Sequence, residues 1–219
     1  MSVSLLQSIL LDMGFAVQRG GLFVSEIRDV LELVRNELDS YLRNANMSNE
    51  EMVILANIVD HNNAVFEETQ GKVVMTLVNI EHDTTVSTYN RNVPGKNGQY
   101  SIVAPPMYIN LYVMFFANFA NKIYVDGLEK ISNIISFFQQ NNYFTHDTLP
   151  DLNQNIEKLN FDIVNLQLTD LNYLMGLVGT KYLPTVLYKV RMIPFVGDSV
   201  KGHVSGVKGV GIPRLPKTS

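Results

Sequence analysis

The run Val73-Val74-Met75-Thr76-Leu77-Val78-Asn79-Ile80 constrains the fold more than any other segment. It is apolar at odd and even positions alike, so a strand built from it carries apolar side chains on both faces. Such a strand belongs inside a sheet rather than at its rim. The segment from Met107 to about Phe116, dense in Tyr, Phe and Val, predicts a second buried strand. Polar Asn110 and Asn118 limit this apolar run, and no window approaches the roughly 20 apolar residues of a membrane span.

Two amphipathic helices are predicted to cover that sheet. The first runs from about Glu26 to Arg43, with Ser25 as N-cap and an apolar face of Ile27, Val30, Leu31, Val34, Leu38 and Leu42. Its acidic residues lie early and Arg43 lies late, as the helix dipole favours. The second spans about Lys122 to Asn141, with Ile123, Leu128, Ile131, Ile134, Ile135 and Phe138 expected on the buried side. A short helix follows, capped by Thr169 and stopped by Gly179.

Further strands are expected at Met52–Val59, Lys72–Glu81, Leu159–Gln167 and Thr185–Ile193. In the last, Val186, Tyr188, Val190 and Met192 point one way and Thr185, Lys189 and Arg191 the other, with Leu187 and Ile193 as exceptions. Residues 87–104 read as a long loop, because Pro94-Gly95 and Asn97-Gly98 are turn signals. The expected fold class is α/β (α+β). It is a single domain with a mixed, mostly antiparallel sheet of about five strands, packed by two long helices and one short helix.

Three regions divide the chain: an appendage at 1–23, the α/β domain at 24–196 and a basic Gly/Val-rich arm at 197–219. In the appendage Leu5, Leu6, Ile9, Leu10 and Met13 form one helical stripe, followed by a Gly20-Gly21 hinge. A stripe this short needs a surface to lie on, either its own domain or a neighbouring subunit. The arm carries Lys201, Lys208, Arg214 and Lys217 against Asp198. It reads either as disorder in the isolated chain or as an arm that adds to the edge of a partner's sheet.

Charge and composition exclude several functions. At 219 residues and a net charge of −4 the chain lacks the clustered cations of a general nucleic-acid binder. The absence of cysteine rules out disulfides, thiol nucleophiles and Cys-based zinc sites. The N-terminus has no basic region of a secretory signal, so a soluble chain made in the cytoplasm is expected. Charged residues are only 17% of the chain, a surface suited to protein contacts.

No motif of a metalloprotease, α/β-hydrolase or phosphate-binding loop occurs. Glu81-His82-Asp83 is the best candidate metal or acid–base group. It reads more simply as a solvated strand end. A hairpin of the first two strands would hold it apart from Asp60-His61. Tyr108, Tyr112 and Phe116 form a potential stacking row, but no basic residues interleave with them, which favours core packing. No catalytic, cofactor-binding or metal residue is assigned, and no cofactor is expected.

Three segments carry a family resemblance: Leu77-Val78-Asn79-Ile80-Glu81, Pro105-Pro106-Met107-Tyr108-Ile109-Asn110-Leu111-Tyr112, and Leu183-Pro184-Thr185-Val186-Leu187-Tyr188-Lys189-Val190-Arg191-Met192-Ile193-Pro194. In their order and spacing, over about residues 25–195, the chain resembles the cap, or tail-terminator, proteins of extracellular contractile injection systems. The resemblance implies a non-enzymatic structural cap that ends the inner tube and anchors the last sheath layer. Its implied partners are five further copies in a six-subunit ring, the inner tube protein and the sheath protein, without nucleic acid or membrane insertion. It also implies synthesis in a bacterial cytoplasm and incorporation into a contractile particle that is released or stays cell-attached. Asn79 and Asn110 are then expected to serve polar contacts within the sheet. Two readings compete: another tube- or baseplate-adaptor protein of the same machine, and a small metal-dependent hydrolase using Glu81, His82 and Asp83.

Overall fold

The apolar stripe of the first helix decides which side of the sheet is covered first. In a computed structural model, which describes residues 26–59, 67–85, 91–94, 99–103, 107–119, 123–195 and 200–205, helix α1 is Glu26–Asn46. Val30, Leu31, Val34, Leu38 and Leu42 are buried along it, on the predicted stripe. The 1–23 appendage, Ser25, Asp60-His61, Pro105-Pro106 and the arm beyond Ser205 lie outside the described residues.

The main sheet has six strands, β1 (Val53–Leu55), β2 (Lys72–His82), β5 (Met107–Asn118), β6 (Tyr143–Phe144), β7 (Leu159–Val164) and β8 (Thr185–Phe195). Their order is β1-β2-β5-β8-β7-β6, all antiparallel except the β1–β2 pair. The strand apolar on both faces, β2, is hydrogen-bonded on both sides. The mixed α/β class with two long helices and one short one is as expected, and the sheet is one strand larger.

Three expectations fail here. The first two strands are parallel, not a hairpin, with Val53 opposite Val73. Parallel pairing requires a crossover connection. Val53 packs under α1 and Ile54 and Ile58 against the opposite cluster, and β1 ends at Leu55, short of the predicted Val59. Within the predicted 87–104 loop, β3 (Arg91–Pro94) and β4 (Gln99–Val103) pair antiparallel. The turn signals Pro94-Gly95 and Asn97-Gly98 therefore join two strands, and β9 (Val200–Ser205) adds to β4 in a separate three-stranded sheet. Finally, β7 ends at Val164 and Thr169 is no cap. The short helix α3 (Leu168–Val178) starts after an extended Gln167, without a side-chain cap bond. Its end is as expected: Gly179 is left-handed at φ 78°, and its amide and that of Thr180 both reach Met175 O.

Helix α2 (Tyr124–Gln140) lies beside α1 on the same sheet face. Of its predicted buried side, Ile134 and Phe138 are buried and Ile131 packs against the core, while Ile123, Leu128 and Ile135 are exposed and Phe137 is buried instead. The aromatic rings set this rotation. Phe138 meets Phe161, Tyr188 and Phe115 at centroid distances of 4.7, 4.5 and 5.4 Å. Near the start of α2, Gly127 lets the helix approach closely, since a Cβ there would sit 3.1 Å from Phe119 Cβ. Buried Lys130 donates to Asn46 Oδ1 and fastens α2 to the end of α1.

Asp39 ties α1 to the sheet edge. Buried in the helix, its Oδ1 accepts the Met52 and Val53 amides at 2.7 and 2.9 Å, and Arg43 reaches Oδ2 at 3.4 Å. The two amides at the start of an edge strand thereby gain a charged acceptor. Asp39→Ala leaves both without it, at about 1.5–3 kcal/mol for a hydrogen bond to a charged group. A urea titration of this variant should show a lower midpoint, with Asp39→Asn falling less. An alanine variant as stable as the parent contradicts the role.

Candidate assembly surface

Side-chain alternation divides the sheet into two faces. On one, Val73, Met75, Leu111, Val113, Phe115, Val186, Tyr188 and Val190 form a core with α1 and α2. On the other, Val74, Met114, Phe116 and Leu187 form a second core with Ile58 and Met175 of α3. Leu187, an exception to the predicted alternation, therefore has its own apolar neighbour. The exception at Ile193 follows from a β-bulge. Ile109 pairs with Ile193 and Leu111 with Val190, so β8 carries one extra residue and its later side chains change face. Of the expected stacking row, Phe116 is buried beneath α3.

Helix α3 covers only part of this second face. The remainder carries a polar network spanning β2, β5, β8 and β7. Tyr112 donates its hydroxyl to Glu81 Oε2 at 2.8 Å, and Lys189 Nζ reaches the same oxygen at 3.0 Å. The Lys189 ammonium also stands 5.3 Å from the Tyr112 ring centre. Arg191 pairs with Asp162 at 2.8 Å. A second bulge, on β2 between Leu77 and Asn79, brings Glu81 opposite Asn110. Asn79 itself is exposed, whereas Asn110 is 2% exposed and its Oδ1 has no hydrogen-bond partner.

The electrostatics follow from these contacts. The Tyr112 hydroxyl, then Lys189, hold the Glu81 carboxyl below its ordinary range. The Thr85 hydroxyl and amide do the same for Asp83, with help from Asn110 and Lys189. The Glu81 contact raises Lys189. Burial pushes the Tyr188 phenol up to about 12, so it stays neutral near pH 7. Glu81, His82 and Asp83 all line one cavity on this face with Asn110, Lys189 and Arg191, although His82 pairs with Ile109 and alternates with Glu81 along β2. Among the described residues, no group of three or more His, Asp or Glu side chains is placed to hold a metal, and no helix is long and apolar enough to cross a membrane.

Beyond the network, α3 has a second apolar side. Its outer side chains Leu168, Tyr173 and Leu177 are 86%, 76% and 74% exposed, and the following Tyr182 is 65% exposed. Leu168, Tyr173 and Tyr182 flank a groove of about 750 Å³ lined also by Leu171, Met175, Gly176, Thr180 and Lys181, while Leu177 lines a separate cavity beside β2. The helix, LTDLNYLMGLV, has one charged residue, Asp170. A helix that is apolar all round is normally enclosed. That composition, rather than a single buried stripe, is the sequence signal for this surface.

The network works in a definite pH window. A lowered carboxyl pKa contributes stability above the ordinary carboxylate range and loses it as pH falls through the folded value. A raised lysine contributes below the ordinary lysine range and loses it as pH rises through the folded value. Both contributions are present at neutral pH. In Tyr112→Phe the Glu81 titration midpoint, followed by carboxyl-carbon NMR, should move up toward the ordinary value. An unmoved midpoint contradicts the Tyr112 contact.

Comparison with solved structures adds to this geometry. The PVC sheath/tube terminator of an extracellular contractile injection system, in its extended state, aligns with a TM-score of 0.61. It is 13% identical, and the alignment covers 88% of this chain and 64% of that one. The tube-terminating cap of the anti-feeding prophage aligns with a TM-score of 0.54 at 14% identity, covering 86% and 61%. This chain thus spans less than two thirds of the length of either. No curated protein matches the sequence. The Pvc16 N-terminal domain matches residues 29–207, from the first turn of α1 to just past β9, and the chain belongs to that family.

Proposed function

We propose that the protein is a structural cap, or tail terminator, of a phage-tail-like contractile injection system. In this role it ends the inner tube and anchors the last sheath layer. The observation that carries the reading is the shared fold: nearly all of this chain superposes on a protein described as a sheath/tube terminator. Membership in the Pvc16 N-terminal domain family supports it.

Assembly physics supplies the mechanism. A stacked tube exposes the same face after every layer, so its growth has no intrinsic stop. A subunit complementary to that face, without an equivalent face of its own, ends addition. Head-to-tail contacts among identical copies close into a ring when their rotation matches the tube, and six copies suit this role. The protein acts by binding and not by catalysis, a reading supported by its likeness to a sheath/tube terminator and a tube-terminating cap. It is made in the bacterial cytoplasm and works as part of the particle. The β3–β4 hairpin and the basic arm are the segments we assign to contacts with tube and sheath.

Deleting the gene and measuring tube and sheath lengths by negative-stain electron microscopy tests the proposal. Long, variable or unstable tubes, restored by the wild-type gene, are expected. Particles of normal length with intact ends overturn it.

A further inference from the structure

The cavity at the polar end of the second face contains an unmet acceptor. Its volume is about 270 Å³, and Glu81, Asp83, Asn110, Lys189 and Arg191 stand in its wall. A water takes about 30 Å³ in the liquid, so a whole side-chain head group fits. Asn110 is 2% exposed, and its Oδ1 accepts no hydrogen bond among the described residues. A buried carbonyl left in this way is rare and destabilising, and a donor entering the cavity relieves it. We propose that the cavity receives one arginine side chain of a neighbouring protein, its guanidinium held by Glu81, Asp83 and Asn110. This role does not depend on the cap reading.

The chemistry of the wall selects the ligand. Glu81 uses Oε2 for both Tyr112 and Lys189, which leaves Oε1 for a newcomer. Asp83, itself buried, uses Oδ1 for the Thr85 amide and hydroxyl. Asn110 stands beside Asp83 and adds its carbonyl. The carboxylates of Glu81, Asp83 and Asp162 face the cations Lys189 and Arg191, so three negative charges meet two positive ones. The surplus suits a monovalent cation. A divalent metal ion fits poorly, because the Lys189 ammonium already lies 3.0 Å from Glu81 Oε2. Acceptors spread over three side chains match the planar, many-donor fork of a guanidinium better than the compact ammonium of lysine.

The test uses the full chain, isotope-labelled for NMR, with N-acetyl-arginine N-methylamide standing in for a protein arginine. Titration should move the Asn110 side-chain amide and Glu81 carboxyl-carbon signals saturably. N-acetyl-lysine N-methylamide should bind severalfold more weakly. Glu81→Gln and Asp83→Asn should each weaken the arginine derivative severalfold. Glu81 is exposed, so its variant reads the site even where Asp83→Asn disturbs the fold. Signals that do not move, equal binding of the two derivatives, or indifference to Glu81→Gln overturns the proposal. Tighter binding of free arginine overturns it too, by assigning the cavity to a metabolite. The same shifts with calcium chloride do so by assigning it to a metal ion.

Discussion

Everything else in this protein is arranged around a strand that cannot show either face to water. In β5, Ile109, Leu111, Val113 and Phe115 point to one core, while Met114 and Phe116 point to the other. Two long helices answer the first demand and α3 answers half of the second. At the end that α3 does not reach, β5 becomes polar at Asn110 and amphipathic at Tyr112. The reach of one short helix and the change of character along one strand are therefore matched. Neither would be stable without the other.

The same matching explains why some of the fold was legible in the residues and some was not. A stripe such as Val30, Leu31, Val34, Leu38 and Leu42 has one apolar side, so its burial follows from spacing alone. Helix α2 is amphipathic too, but its apolar arc is wide, and spacing could not choose between Ile135 and Phe137. Ring packing with Phe161 and Tyr188 made the choice. The direction of β1 was beyond local reading as well, because its parallel pairing with β2 joins residues about 20 apart in sequence, such as Val53 and Val73. Strands β3 and β4 were hidden for a different reason. Their turn signals describe the connection correctly but say nothing of the pairing on either side.

At the candidate surface, strand alternation made Lys189 and Arg191 recognisable as the outward side of β8. It did not reveal their partners, because Glu81 comes from β2 and meets Lys189 across β5 only after the bulge beyond Leu77. A bulge inserts one residue without a strong local signature, yet it changes which side chains share a face. Asn110 pairs regularly with Glu81 on β2 but falls at the register shift between β5 and β8, so its buried amide lies beside one irregular ladder. Family likeness pointed to the two asparagine positions, but only the geometry separates the buried one from the exposed one.

The pairing of β5 with β8 also has a consequence for the order in which the chain is made. Phe116 faces Thr185, so these sheet neighbours are separated by helix α2, β6, β7 and α3 in sequence. During synthesis β5 emerges with β2 available on one side and nothing yet on the other. The most apolar strand of the molecule then waits with an open edge until β8 leaves the ribosome, a state exposed to aggregation. A ribosome that stops before Thr185 releases a chain with that edge still unpaired. The main sheet therefore closes only in a chain that extends through β8.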